Sequence, residues 1–196
     1  MRWTRGTLPR RALAAMGAVY LALSPAVASI ILTEQQALER AFPGATFERQ
    51  VLYLTETQVE KVQKEARSRL PSPVVTMILA YSDDQLLGRA YLDTHTVRTM
   101  PETVLTAVEP SGAIRAALVL QFAEPRDYLP REKWLEAFDG RTLDEELWPG
   151  RGIRRVTGAT LTVQALTEAV RRSLAIDRVM HQEPSARARR EECASR

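Results

Sequence analysis

The chain has 196 residues, 45% of them hydrophobic and 26% charged, a composition that supports a single domain with an ordinary core. Its formal charge of +3 is concentrated at the start. Arg2, Arg5, Arg10 and Arg11 fall in the first 28 residues, which hold no acid, and without these four the 27 basic residues drop to 23 against 24 acidic ones. That balance gives no reason to expect a nucleic-acid partner, and one cysteine with two histidines excludes an intrachain disulfide framework and a Cys- or His-based metal cluster.

Residues 1–28 read as a secretory signal peptide: a basic stretch to Arg11, an apolar run from Ala12 to Leu23, and Ala26-Val27-Ala28 as a small-x-small cleavage site. Cleavage after Ala28 is expected, which makes the mature protein periplasmic or secreted. The alternative is an uncleaved anchor, for which the apolar run is short.

Thr33-Glu34-Gln35-Gln36 is a capping box that starts a short helix ended by Pro43-Gly44. Phe47–Leu54 reads as a strand. Thr55-Glu56-Thr57-Gln58 is a second capping box, and Val59, Val62, Ala66 and Leu70 mark one face of a helix that stops at Pro71. The period then changes. Val74–Tyr81, Leu86–Thr96, Thr103–Val108 and Ala113–Phe122 are predicted strands, with turns at Ser82-Asp83-Asp84 and Glu109-Pro110-Ser111-Gly112. Short connections between consecutive strands predict a mostly antiparallel meander. Pro130 is placed in the first turn of a helix carrying Trp134, Leu135 and Phe138 and ended by Gly140. Thr142-Leu143-Asp144-Glu145 reads as a third capping box, opening a short turn that ends near Trp148-Pro149-Gly150.

Thr157-Gly158-Ala159-Thr160 precedes the last long helix, Leu161–Val179, whose buried face is predicted to be Leu161, Ala165, Leu166, Ala169, Val170 and Leu174. A helix start carries unpaired N–H groups and the positive end of the helix dipole, so it can hold a phosphate. Gly158 permits a tight turn and Thr160 offers a hydroxyl. The same four residues also read as a plain turn with an N-cap. Residues 181–196 are polar and aperiodic and read as a disordered tail. The resulting fold class is α+β: a mostly antiparallel meander sheet flanked by helices, with a C-terminal helix after the Thr-Gly-Ala-Thr turn.

An exported domain with a sheet, this turn and an amphipathic helix near its C-terminus resembles the FMN-binding domain family, whose members include the RnfG and NqrC subunits of ion-pumping electron-transport complexes. The resemblance covers roughly Val74–Leu174. It rests on Thr157–Thr160, on the Ala107–Ile114 hairpin and on Val119-Leu120-Gln121-Phe122-Ala123-Glu124-Pro125. It implies residues 29–72 as an N-terminal helix-and-strand segment and 73–180 as the FMN-binding core. It implies FMN joined through its phosphate to Thr160 by an ApbE-type flavin transferase, or FMN held noncovalently. Thr157, Gly158 and Ala159 would form the recognition turn, and Glu124, Pro125, Tyr128, Leu129 and Arg154 would be the further cofactor contacts. The family pattern has Asp where this chain has Arg154, and a Glu-Thr-Pro-Gly-Leu-Gly loop where this chain has Glu124–Leu129.

The residues themselves suggest Arg154 and Arg155 as phosphate partners or an exposed basic pair. Trp148, Tyr128 and Trp134 could flank a flat ring or simply pack, and His95 and Arg98, near a strand end, could relay a proton or be structural. The function implied is a periplasmic electron carrier between a membrane donor, at the outer face of the inner membrane, and a periplasmic acceptor. An exported flavin-dependent reductase and a non-redox assembly module stand as alternatives. No catalytic triad or Gly-rich nucleotide loop is present in the sequence.

Overall fold

The computed structural model describes residues 29–182. The expectations for the signal peptide, and for the tail from residue 183 onward, lie outside the described residues.

The fold is α+β. Six strands form one antiparallel sheet in the order β1-β6-β5-β4-β3-β2. They are β1 (Ser29–Ile30), β2 (Thr46–Tyr53), β3 (Val74–Ser82), β4 (Gln85–Val97), β5 (Met100–Val108) and β6 (Ile114–Phe122). Four α-helices accompany them: α1 (Glu34–Ala41), α2 (Glu56–Ala66), α3 (Glu132–Leu135) and α4 (Thr160–Gln182). From β2 to β6 each strand pairs with the next in sequence, as short connections require. No described helix is long and apolar enough to cross a membrane.

Both early capping boxes form. Thr33 and Thr55 each accept from the N3 backbone while Gln36 and Gln58 reach back to the cap. Alternation along the strands divides the core in two. Val75, Met77, Tyr91, Val104, Val108, Val119 and Phe122 face α2, α3 and α4. Ile78, Ala80, Ala90, Leu105, Ala107, Leu118 and Leu120 face α1, whose Ala37, Leu38 and Ala41 cover them together with its C-cap Phe42.

Several local expectations change. The helix predicted to Leu70 ends at Ala66, because Arg67 takes the left-handed conformation (φ 53°) and the chain turns there. Leu70 is still buried, from the loop that follows. Strand β5 begins at Met100 rather than Thr103. Its hairpin with β4 turns at Arg98-Thr99, where Arg98 holds a positive φ of 53° that glycine more often supplies. Pro130 lies ahead of the α3 N-cap, Arg131, not in the first turn. The third capping box does not form: Asp144, not Thr142, accepts from the N–H groups of Glu146 and Leu147. Leu161 is 52% exposed, and Val163 takes the inward position in that first turn. β1 pairs with β6 as an unforeseen edge strand, and α4 runs to Gln182, two residues into the stretch read as tail.

Gly88 in β4 shows how tightly the α1 side is filled. A Cβ there would come within 2.5 Å of the Val108 carbonyl oxygen and 2.7 Å of the Phe42 ring. Gly88→Ala is expected to destabilise the fold by about 1–3 kcal/mol through this overpacking, read as a lower urea midpoint at unchanged m-value.

Candidate functional site

α4 crosses the sheet antiparallel to β4. Arg172 donates to Asp93 through Nε (2.7 Å) and Nη2 (2.8 Å), and one helical stretch later Asp177 meets Arg89 and Tyr91. From Arg172 back to Thr160 the helix covers about 18 Å. From Asp93 on to Arg98 the strand covers about 17 Å. The Thr157–Thr160 turn and the β4–β5 hairpin therefore lie at the same end of the sheet. The Glu124–Leu129 segment, leaving β6 beside that hairpin, is at this end too: Ala123 N–H bonds Pro101 O, and the Arg98 guanidinium sits 4.4 Å over the Tyr128 ring. Trp134 Nε1 donates to the Arg154 carbonyl (2.7 Å), which ties α3 to the chain entering the turn.

The turn itself is built by its backbone. Gly158 has φ +83° with open space around it, so conformation rather than crowding calls for glycine. Ala159 N–H bonds Val156 O, and Ala159 O accepts from Val163 N–H, which makes Ala159 the N-cap. The Ala159 methyl is buried in the core below. The N–H groups of Thr160, Leu161 and Thr162 have no acceptor within the protein, and neither Thr157 nor Thr160 uses its hydroxyl in a hydrogen bond. Thr157, Gly158 and Thr160 are exposed, as are Arg154 and Arg155. The Arg154 guanidinium makes no ion pair, and Arg155 lies against Gly150.

Among the other expected residues, Pro125 is exposed ahead of a 3-10 turn at Arg126–Tyr128. Tyr128 and Leu129 are half-buried against the core. Leu129 also lines an apolar cavity of 330 Å³ with Ile31, Leu118 and Leu135. Glu124 has a buried Oε1 with no partner. Trp134 packs edge-on to Phe138, with ring centroids 5.3 Å apart, and Trp148 lies under the Arg171 guanidinium at 4.5 Å; both are packing residues.

Sequence reasoning singled out His95 but missed its setting. Its Nδ1 is 2.9 Å from Asp93 Oδ1 and its Nε2 is 3.1 Å from Glu102 Oε2. Glu102 is fully buried and its second oxygen has no partner. The pairing His95↔Glu102 follows from the Arg98-Thr99 turn. A turn without Gly or Asn hides that register in the sequence. Burial works against a charged His95, yet the two carboxylates raise its pKa above 6.5. Burial raises the Glu102 carboxyl, with His95 opposing. Burial would raise Asp93 as well, but Arg172 and His95 hold it below the ordinary value.

The turn's donor set fits a phosphate ester. Three free N–H groups at the positive end of a 23-residue helix, a hydroxyl on the same turn and an unpaired guanidinium nearby are what a phosphate needs. The orphaned Glu124 oxygen lies on the segment that shares this end. No protein-family model matches the chain, and no curated protein is similar to it.

The buried triad makes stability pH-dependent. Protonated His95 favours the fold; that contribution is complete below pH 6.5 and is lost as the pH rises through its higher folded value. Glu102 adds in the same direction, because its folded form prefers the proton and begins to cost stability as the pH climbs past 4.5. His181 works the other way below pH 6.5, because burial lowers its pKa and its contribution grows as the pH rises to that value. Above pH 6.5, unfolding free energy from urea titrations should fall, and His95→Gln should flatten that slope. An unchanged slope in the variant would assign the dependence to other groups.

Proposed function

We propose that the protein is an exported FMN-binding electron carrier whose FMN is attached through its phosphate to Thr160 Oγ. The observation that carries this reading is the Thr160 hydroxyl: exposed, without a hydrogen-bond partner, on the first residue of α4 beside three unpaired backbone N–H groups. The resemblance of Thr157–Thr160 and Val119–Pro125 to the FMN-binding domain family supports the same assignment.

FMN supplies the redox chemistry when bound; the chain supplies attachment, orientation and charge. The N–H groups of Thr160, Leu161 and Thr162 would donate to the phosphate oxygens, and the α4 dipole would favour their negative charge. Arg154, exposed and without an ion pair, would add a charge-assisted contact. The exposed Leu161 side chain beside Thr160 offers an apolar surface, and Tyr128, held under Arg98, offers an aromatic one. Glu124 would place a carboxyl oxygen at the edge of the site. Covalent attachment keeps a cofactor from being lost outside the cytoplasm. The implied partners are an ApbE-type flavin transferase, a membrane electron donor and a periplasmic acceptor.

The test is coexpression of the full chain with an ApbE-type transferase, followed by flavin fluorescence on a denaturing gel. A fluorescent band that disappears in Thr160→Ala, at unchanged yield and thermal stability, is the expected result. A colourless native protein would overturn FMN binding; a yellow native protein with no band would restrict it to noncovalent FMN.

A further inference from the structure

The opposite end of α4 carries a second, unrelated site. A cavity of 260 Å³ opens there, between the β5–β6 turn at Ser111, the loop at Thr142-Leu143, and the last turns of α4. One wall is Arg89, whose side chain is 4% exposed.

Arg89 spends only one edge of its guanidinium inside the protein. Nε donates to Asp177 Oδ1 at 2.5 Å and Nη2 to Asp177 Oδ2 at 3.3 Å. Asp177 also accepts from Tyr91 OH at 2.8 Å, so its carboxylate is engaged. Nη1 makes no hydrogen bond within the protein. A guanidinium presents five N–H donors and two edges that can each grip an oxyanion bidentately; here the edge formed by Nη1 and Nη2 is open. Nη1 is not among the buried polar atoms without a partner, so this edge faces the cavity's solvent and an oxyanion can take water's place on it.

The rest of the cavity wall is also rich in donors. Arg178 lines it, with Nη2 bonded to the Leu143 carbonyl (2.8 Å) and Nη1 3.6 Å from Glu65. His181 lines it as well. The backbone N–H groups of Ser111, Thr142 and Leu143 make no hydrogen bond within the protein. The two guanidiniums of the wall each have a carboxylate partner, Asp177 for Arg89 and Glu65 for Arg178, so an incoming anion is met by open N–H donors rather than by an excess of positive charge.

We infer that this cavity binds a small oxyanion, a carboxylate or a phosphate, on the open edge of Arg89. The volume limits the ligand to a few heavy atoms beyond the anionic group. α4 turns its negative end toward this cavity, so the helix opposes an anion and the side chains and loop N–H groups must outweigh it.

The experiment is a titration of the full chain with succinate and, separately, inorganic phosphate, against sodium chloride at matched ionic strength, followed by amide NMR. Saturable shifts centred on Ser111, Gly112 and His181 are expected for at least one of the two anions; any shifts that phosphate raises at Gly158–Thr160 report the helix N-terminus and are scored apart from them. Which of them saturates identifies the carboxylate or the phosphate as the ligand type. Arg178→Gln should weaken the binding at least about tenfold. Ser111→Asp, at an exposed turn, should weaken it by placing a competing carboxylate at the mouth. Shifts that follow chloride equally, or that persist undiminished in whichever variant retains the wild-type amide dispersion, would overturn the proposal. Because the readout excludes the Thr160 turn, its failure leaves the flavin assignment untouched, and the reverse holds.

Discussion

Buried guanidiniums fix α4 in place, and α4 fixes everything of functional interest. Arg171 is 2% exposed and donates to the carbonyls of Ala66, Glu65, Asp144 and Leu147. It thereby satisfies the last carbonyls of α2, which the helix leaves without internal partners, and pins the 144–147 loop with the same group. Arg172, the next residue, points to the sheet and grips Asp93. Two adjacent arginines thus anchor the helix on two sides, a hundred degrees apart around its axis. The Arg89–Asp177 pair, five residues further on, sets its rotation a second time. Breaking a buried pair on one side leaves an uncompensated charge worth several kcal/mol, so these contacts specify one register of helix on sheet.

That register explains the placement of the turn. An apolar helix face could slide by a turn along a sheet surface of valines and leucines at modest cost. The Arg172–Asp93 and Arg89–Asp177 contacts cannot both be kept after such a slide. The Thr157–Thr160 turn is therefore held level with the Arg98 hairpin and the Glu124–Tyr128 segment, although no side chain of the turn itself bonds to either. The Trp134 Nε1 bond to the Arg154 carbonyl anchors the incoming backbone and leaves the hydroxyls exposed.

Much of the scaffold was legible in the sequence for local reasons. Capping boxes, period-2 alternation and Gly- or Asp-bearing turns act over a few residues, and they marked α1, α2 and β2 to β6 to within a few positions. The misreadings share a different cause. Arg67 and Arg98 occupy positive φ without being glycine, so the end of α2 and the start of β5 carried no local signal. Arg171, Arg172 and Asp177 lie outside the apolar stripe that the sequence marks on α4, and their charge carries no sign of burial. They are buried because α4 is covered by the sheet on one side and by α2 and the 142–153 loop on others, a fact of tertiary packing. Leu161 failed in the opposite sense: its spacing matched the buried face, but the helix projects past the core at its first turn.

The two ends of α4 illustrate which kinds of site a sequence can display. An anion at the N-terminal end is met by backbone N–H groups and the positive dipole, and a turn that exposes them needs glycine at a fixed offset. A site of the kind proposed at Thr157–Thr160 leaves a contiguous signature. At the C-terminal end, about 33 Å away along the axis, the dipole has the wrong sign, so oxyanion recognition must come from side chains. Those side chains arrive from β4, the β5–β6 turn, the 142–143 loop and α4. Their separation along the chain leaves no motif; only the pairing of Arg89 with Asp177, which uses one guanidinium edge and leaves the other open, makes the site visible.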